Sequence, residues 1–132
     1  MAITTIEEAI YSNLSTHAGL IALVPAVRIK PNMLPQDCIF PAIVFYKVAT
    51  ERFPAMGWNV VNKSHRVFIS CHTTGIKEAR KIVVQVRDAM QRWTGTYGSI
   101  TVDDCFYENE SSSWEPDIDD YQITLEFLIW YR

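Results

Sequence analysis

Residues 66–93 read RVFISCHTTGIKEARKIVVQVRDAMQRW, and the hydrophobic period changes within this stretch. Val67, Ile69 and Cys71 alternate with Arg66, Phe68, Ser70 and His72, the period of two that predicts a strand over about residues 63–73. After Thr74-Gly75, the residues Ile76, Ala79, Val83, Val86, Met90 and Trp93 step by threes and fours, which lines one face of an α-helix. Lys77, Lys81, Arg87 and Arg92 fall largely off that stripe, and Gly95 is expected to stop the helix. A strand that feeds directly into an amphipathic helix implies a sheet with helices packed on it.

Upstream, Ile43, Phe45 and Lys47 face one way and Val44, Tyr46 and Val48 the other, predicting a strand from Ala42 to Phe53. It pairs with the 63–73 strand as a hairpin whose long tip runs from Pro54 to Asn62. Nearer the N-terminus, Thr5-Ile6-Glu7-Glu8 has the form of a capping box. Ile6, Ala9, Ile10 and Leu14 then recur at helical spacing, so a first helix is expected over about 5–17, ended by Gly19. Val27 to Lys30 reads as a short strand, and Pro31, Pro35 and Pro41 mark an irregular connection.

Downstream, a strand of about 98–109 leads to a polar tip, Glu110-Ser-Ser-Ser113, and then to a strand of about 119–131. In that last strand Tyr121, Ile123, Leu125, Phe127, Ile129 and Tyr131 alternate with Gln122, Thr124 and Glu126, with Leu128 and Trp130 continuing the outer face. The expected architecture is one α+β domain over residues 1–132: a mainly antiparallel sheet of four to five strands with two helices packed on one face.

Charge is distributed unevenly. Eleven of the 12 Lys and Arg but only six of the 15 Asp and Glu precede Trp93, so the first part carries +5 and the last forty residues −8. Net charge and its distribution govern association more than fold. The polarity therefore points to an assembly component rather than an enzyme, with the acidic part of one copy meeting the basic part of another or facing a lumen that a polyanion traverses.

Composition closes off other classes. Apolar residues make up 48% and charged residues 20%, ordinary for a globular chain. The longest apolar run, Gly19 to Val27, contains Pro25 and falls well short of the roughly 20 residues of a membrane span. No basic residue precedes Arg28, so a secretory n-region is missing and cytoplasmic synthesis is expected. Cys38, Cys71 and Cys105 are odd in number and widely spaced, and His17, His65 and His72 form no metal-ligand pair, which leaves buried thiols as the expectation.

Two constellations invite chemistry. Asp117 and Asp119 share a face in an extended segment, with Asp120 beside them, a geometry that suits a hard divalent cation. The competing reading is an acidic edge without metal, since no Gly-containing calcium loop accompanies them. Asp103 and Asp104 are neighbours and point to opposite faces of a strand, and the same alternation separates Cys71 from His72. A small metal-dependent nuclease or hydrolase built on Asp117 to Asp120, or a monomeric binding module, stands as the alternative to an assembly protein. No nucleotide-binding or nucleophile-elbow motif is present, so no cofactor is expected.

Several stretches together resemble the phage tail-completion family, the tail terminators: Gly19-Leu-Ile-Ala-Leu-Val24 with Arg28-Ile29, the Pro41–Tyr46 strand, Arg66–His72 leading into the Ala/Val-rich helix, and Tyr121–Phe127 ending in Trp130-Tyr131. The resemblance spans nearly the whole chain. It implies a hexameric ring at the head–tail junction of a virion, assembled in the host cytoplasm, that caps the tail tube, ends its polymerisation and presents a surface to the head connector. It implies no catalytic residue.

Residues for such contacts follow from their types. Arg52, Phe53, Met56 and Trp58 place interface-prone side chains on the hairpin tip, with the tip folding back onto the core as the competing reading. Lys77 and Lys81 lie on the basic side of the second helix, and Trp130 sits on the polar face of its strand. Asp103, Asp104, Glu108, Asp117, Asp119 and Asp120 are expected to line a lumen that lets DNA pass without binding, or to meet a neighbouring subunit.

Overall fold

The computed structural model describes residues 5–31, 40–54, 61–115 and 120–131. Thr5 is the N-cap of α1 (Ile6–Thr16): its hydroxyl oxygen accepts the Glu8 N–H at 3.3 Å, and the hydroxyl donates to the Glu8 carboxylate at 3.0 Å. Ile6, Ala9, Ile10 and Leu14 are all buried, as their spacing predicts. A single further turn, α2 (Ala18–Ile21), buries Leu20. A Cβ at Gly19 would meet the terminal amide of Gln85 on the helix packed beside it, so a larger residue here would make that flexible side chain move aside.

That helix, α3 (Ile76–Met90), buries Ala79, Ile82, Val83, Val86, Ala89 and Met90. Each large aliphatic side chain so buried contributes about 1.5–3 kcal/mol. The helix ends at Met90 rather than at Gly95. Arg92 takes up a left-handed backbone (φ 59°), and its N–H donates to the Cys105 carbonyl at 2.7 Å, so the adjoining strand captures the chain before another helical turn forms. Trp93 keeps its place in the core, 6% exposed, although it lies beyond the helix.

The strands are β1 (Ile29–Pro31), β2 (Ala42–Pro54), β3 (Val61–Thr73), β4 (Gly95–Tyr97), β5 (Ile100–Glu115) and β6 (Asp120–Tyr131). They form a six-stranded sheet in the order β1-β2-β3-β6-β5-β4. The expected sheet of four to five mainly antiparallel strands with two helices is corrected to a mixed six-stranded sheet with three helices among the described residues. β1 runs parallel to β2. Three residues carry no pattern that states a direction, and Ala26–Arg28 forms a 3-10 turn where a strand beginning at Val27 was expected. β4 was missed although Gly98-Ser99 is a two-residue hairpin turn, with Gly98 at φ 59°.

β2 and β3 pair, with a bulge between Lys47 and Ala49, out to Pro54 opposite Val61, so the ends of the expected Pro54–Asn62 tip belong to strands, while residues 55–60 lie outside the described residues. Likewise Glu110 to Ser113 pair with Leu125 to Gln122, because serine tolerates an edge strand as well as a turn. Ile43, Phe45, Val67, Ile69, Cys71, Ile123, Leu125, Phe127 and Ile129 form one sheet face and, with the buried faces of α1 and α3, a continuous core. In β6 Ile123, Leu125, Phe127, Ile129 and Tyr131 are buried between half-buried neighbours, as the alternation predicts, but Tyr121 is only half-buried, and in β3 Ser70 is buried along with Val67, Ile69 and Cys71.

Candidate subunit and tail interface

α3 turns a basic face outward because Lys77, Arg80 and Lys81 lie opposite its buried stripe. All three are exposed, beside Val84 at 50%. Among the described residues none of the ion pairs involves them. Arg87, on the flank of the helix nearest β5, places its guanidinium 4.7 Å from the centre of the Tyr107 ring. The Tyr107 hydroxyl donates to Glu110 at 3.1 Å. Burial first, then this hydrogen bond and the Glu110 charge, raise the phenol above its ordinary range, while Arg87 opposes the shift.

The acidic residues of β5 divide by backbone irregularity. The ladder with β6 slips between Val102 and Asp104 and again between Tyr107 and Asn109, which places Asp103 and Glu108 at bulges. Such bulges redirect side chains. Both residues are exposed. Asp104 is engaged instead: one oxygen accepts the Cys105 N–H at 2.8 Å and the other sits 3.0 Å from the Arg92 guanidinium.

Asp120 does not stand on an exposed edge. It is 3% exposed, its Oδ2 lies 2.9 Å from His72 Nδ1, and the Gln122 amide donates to the same oxygen at 2.9 Å. Cys71 and His72 diverge as the strand alternation requires, Cys71 into the core and His72 toward Asp120. Among the described residues, no group of three or more His, Cys, Asp or Glu is placed to hold a metal ion. Asp117 and Asp119 lie outside those residues.

The remaining expected contacts are scattered. Arg52 and Phe53 belong to β2, opposite Lys63 and Asn62, rather than to a loop, while Met56 and Trp58 lie outside the described residues. Trp130 is half-buried on the sheet face away from the helices. Cys71 and Cys105 are buried thiols, and burial, with a smaller contribution from Glu110, pushes the Cys71 thiol up from 9.0 to about 12. Cys38 lies outside the described residues. Among the described residues, no helix is long and apolar enough to cross a membrane.

Two features escaped the sequence reading. Glu108 to Trp114 are exposed at every position although they lie in a strand, so this length of β5 is an arm at the margin of the core. Trp114, 52% exposed, stacks on Tyr121 across the ladder with ring centres 5.6 Å apart. At the opposite end of the sheet a groove of about 660 Å³ lies between α1 and β1, lined by Tyr11, Val27, Ile29, Lys30, Pro31 and Phe45 among others. A signal existed for the groove: Tyr11 lies off the α1 stripe, and Val27 precedes the strand in a position that leaves it 72% exposed.

A family model described as "Tail completion protein gp17" matches residues 8–132. A chain from the structure titled "Virion of native gene transfer agent (GTA) particle" has the same fold: TM-score 0.71, 18% identity, covering 92% of this chain and 90% of that one. A search of curated proteins found no match.

Proposed function

Since the chain belongs to the tail-completion family and is a structural protein of the phage tail, we propose that it forms a ring, most naturally a hexamer, that caps the tail tube, ends its polymerisation and offers the joining surface to the head connector. The observation that carries this reading is the placement of charge. A basic outer face on α3 (Lys77, Arg80 and Lys81) and exposed acidic residues on β5 (Asp103, Glu108 and Glu110) are presented by two separate elements of one small subunit. Identical subunits then satisfy each other head to tail, and such contacts close into a ring when the rotation per subunit permits.

In that ring Asp103 and Glu108 line the passage for DNA. Their like charge keeps the polyanion from sticking, whereas Asp104 and Asp120 serve the subunit's own structure. Lys77 and Lys81 meet a neighbouring subunit. The hairpin tip, with Arg52, Phe53, Met56 and Trp58, contacts the tube or a neighbour, and Trp130 is covered on assembly. Residues 117 and 119 extend the same acidic sequence.

The test is mass photometry and negative-stain microscopy of the purified chain, alone and mixed with tail tubes. Rings on one tube end support the reading, even if the free chain is a monomer. A monomer that leaves both tube ends bare overturns it.

A further inference from the structure

We infer that neighbouring copies join through opposite ends of the sheet, the β5 arm of one copy lying along the β1 edge of the next with Trp114 seated in the groove between α1 and β1. This rests on the ring reading and supplies its contact. β1 is one edge of the sheet, and β4 covers β5 only at residues 100–102. The outer edge of β5 beyond that point has no strand partner among the described residues. Long exposed edges are templates for pairing with another chain.

The side chains agree in direction. Trp114 stands opposite Tyr121, two and four residues before Ile123 and Leu125, so it projects from the sheet face that carries the helices. The groove opens on that same face, because α1 and the core residue Phe45 line it. If two sheets continue edge to edge, the indole of one copy comes to the apolar wall formed by Tyr11, Val27 and Pro31 of the next. An exposed aromatic on an arm and an exposed apolar groove each leave surface in water that the other covers.

Charge matches at two places on the helix face. Exposed Glu110, which shares that face with Trp114 because it stands opposite Leu125, meets Lys30, which lines the groove. In the helix layer, Arg80 and Arg87 on the β5 flank of α3 meet Glu7 and Glu8 on α1, which border the groove. Opposite signs therefore face each other twice, a pairing that a reversed or slipped contact does not reproduce.

The experiment places the photo-cross-linker p-benzoylphenylalanine at position 114 of the full chain, bound to tail tubes, and maps the products by mass spectrometry. Cross-links to residues 11–31 of a second copy are expected. In parallel, Glu110→Lys should weaken ring formation by roughly tenfold, and adding Lys30→Glu should restore it. Rings that form normally while the cross-links map elsewhere, or a charge swap that is not restored, overturn this contact and leave the ring reading standing. If the unmodified chain forms no ring on tubes, the ring reading falls and this contact with it.

Discussion

His72 Nδ1 lies 2.9 Å from Asp120 Oδ2, a contact joining the end of β3 to the start of β6 across 48 residues. The carboxylate is nearly sealed from water, and its Oδ1 has no hydrogen-bond partner among the described residues. A buried oxygen in that condition makes the remaining contacts costly to lose, because each missing partner exposes a further desolvation penalty. Two residues that look like catalytic material in the sequence thus lock two central strands together.

His72→Ala is expected to destabilise the subunit by about 1–3 kcal/mol by removing that partner. His72→Ala combined with Asp120→Ala should recover part of the loss, since the stranded carboxylate goes with it. Urea unfolding of the two variants, read by tryptophan fluorescence, decides the point. Equal stability of His72→Ala and the parent chain would show that the contact contributes nothing.

Arg92 holds a left-handed backbone that costs a non-glycine residue about 1–2 kcal/mol. Its side chain offsets this with the Asp104 ion pair and a cation–π contact to Phe106, 5.1 Å from the ring centre. Arg92→Gly removes the strain and the contacts together and is expected to change stability by less than about 1 kcal/mol. Arg92→Ala loses the contacts and keeps the strain, so it should be the less stable of the two. Thermal melts of the pair give the order directly.

Stability should fall in alkali through the buried thiols. Cys71 keeps its proton in the folded state up to about pH 12, whereas the unfolded thiol releases it near 9.0. Between those values the unfolded state binds fewer protons, so rising pH favours unfolding, by up to about 1.4 kcal/mol per pH unit for one thiol. Burial also raises the Cys105 thiol, which adds to the slope in the same direction. Denaturant titrations between pH 8 and 11 should show this decline, and it should be shallower in Cys71→Ala than in the parent. An unchanged slope in that variant would assign the alkaline loss to other groups.

Trp58→Ala should leave the isolated subunit folded while weakening its attachment to tubes or neighbours, with a loss on the order of 2 kcal/mol expected of an aromatic anchor. Circular dichroism and tube co-sedimentation read the two effects separately. Unfolding of the isolated variant would place Trp58 in the core, and normal co-sedimentation would remove it from the interface.

What was legible in the sequence was whatever repeats. The alternation in Arg66–His72 and Tyr121–Tyr131 and the stripe of α3 are periodic, and the residues they assign inward are buried except at the element starts, where Ile76 is exposed and Tyr121 half-buried. Thr5 was legible for another reason, since a capping residue acts on its own turn. The parts that misled are governed by neighbours distant in the chain. The end of α3 is set by the Arg92 bond to Cys105, which no local signal announces. Glu110 to Ser113 looked like a tip because polar residues suit both turns and exposed edges, and only pairing with β6 separates the cases. For the site, charge segregation was visible in the sequence, but not how each carboxylate is placed: Asp104 pairs with Arg92 and Asp120 is buried against His72, while Asp103 and Glu108 sit exposed at bulges.

The most direct measurement of the central claim is the length distribution of tails in phage lysates made with and without this chain, by electron microscopy. With the chain present, tails should have one length and carry an added ring at the end that joins the head. Without it, tubes should lengthen without limit or fail to join heads. Tails of normal length, joined to heads in the absence of the chain, would contradict the claim.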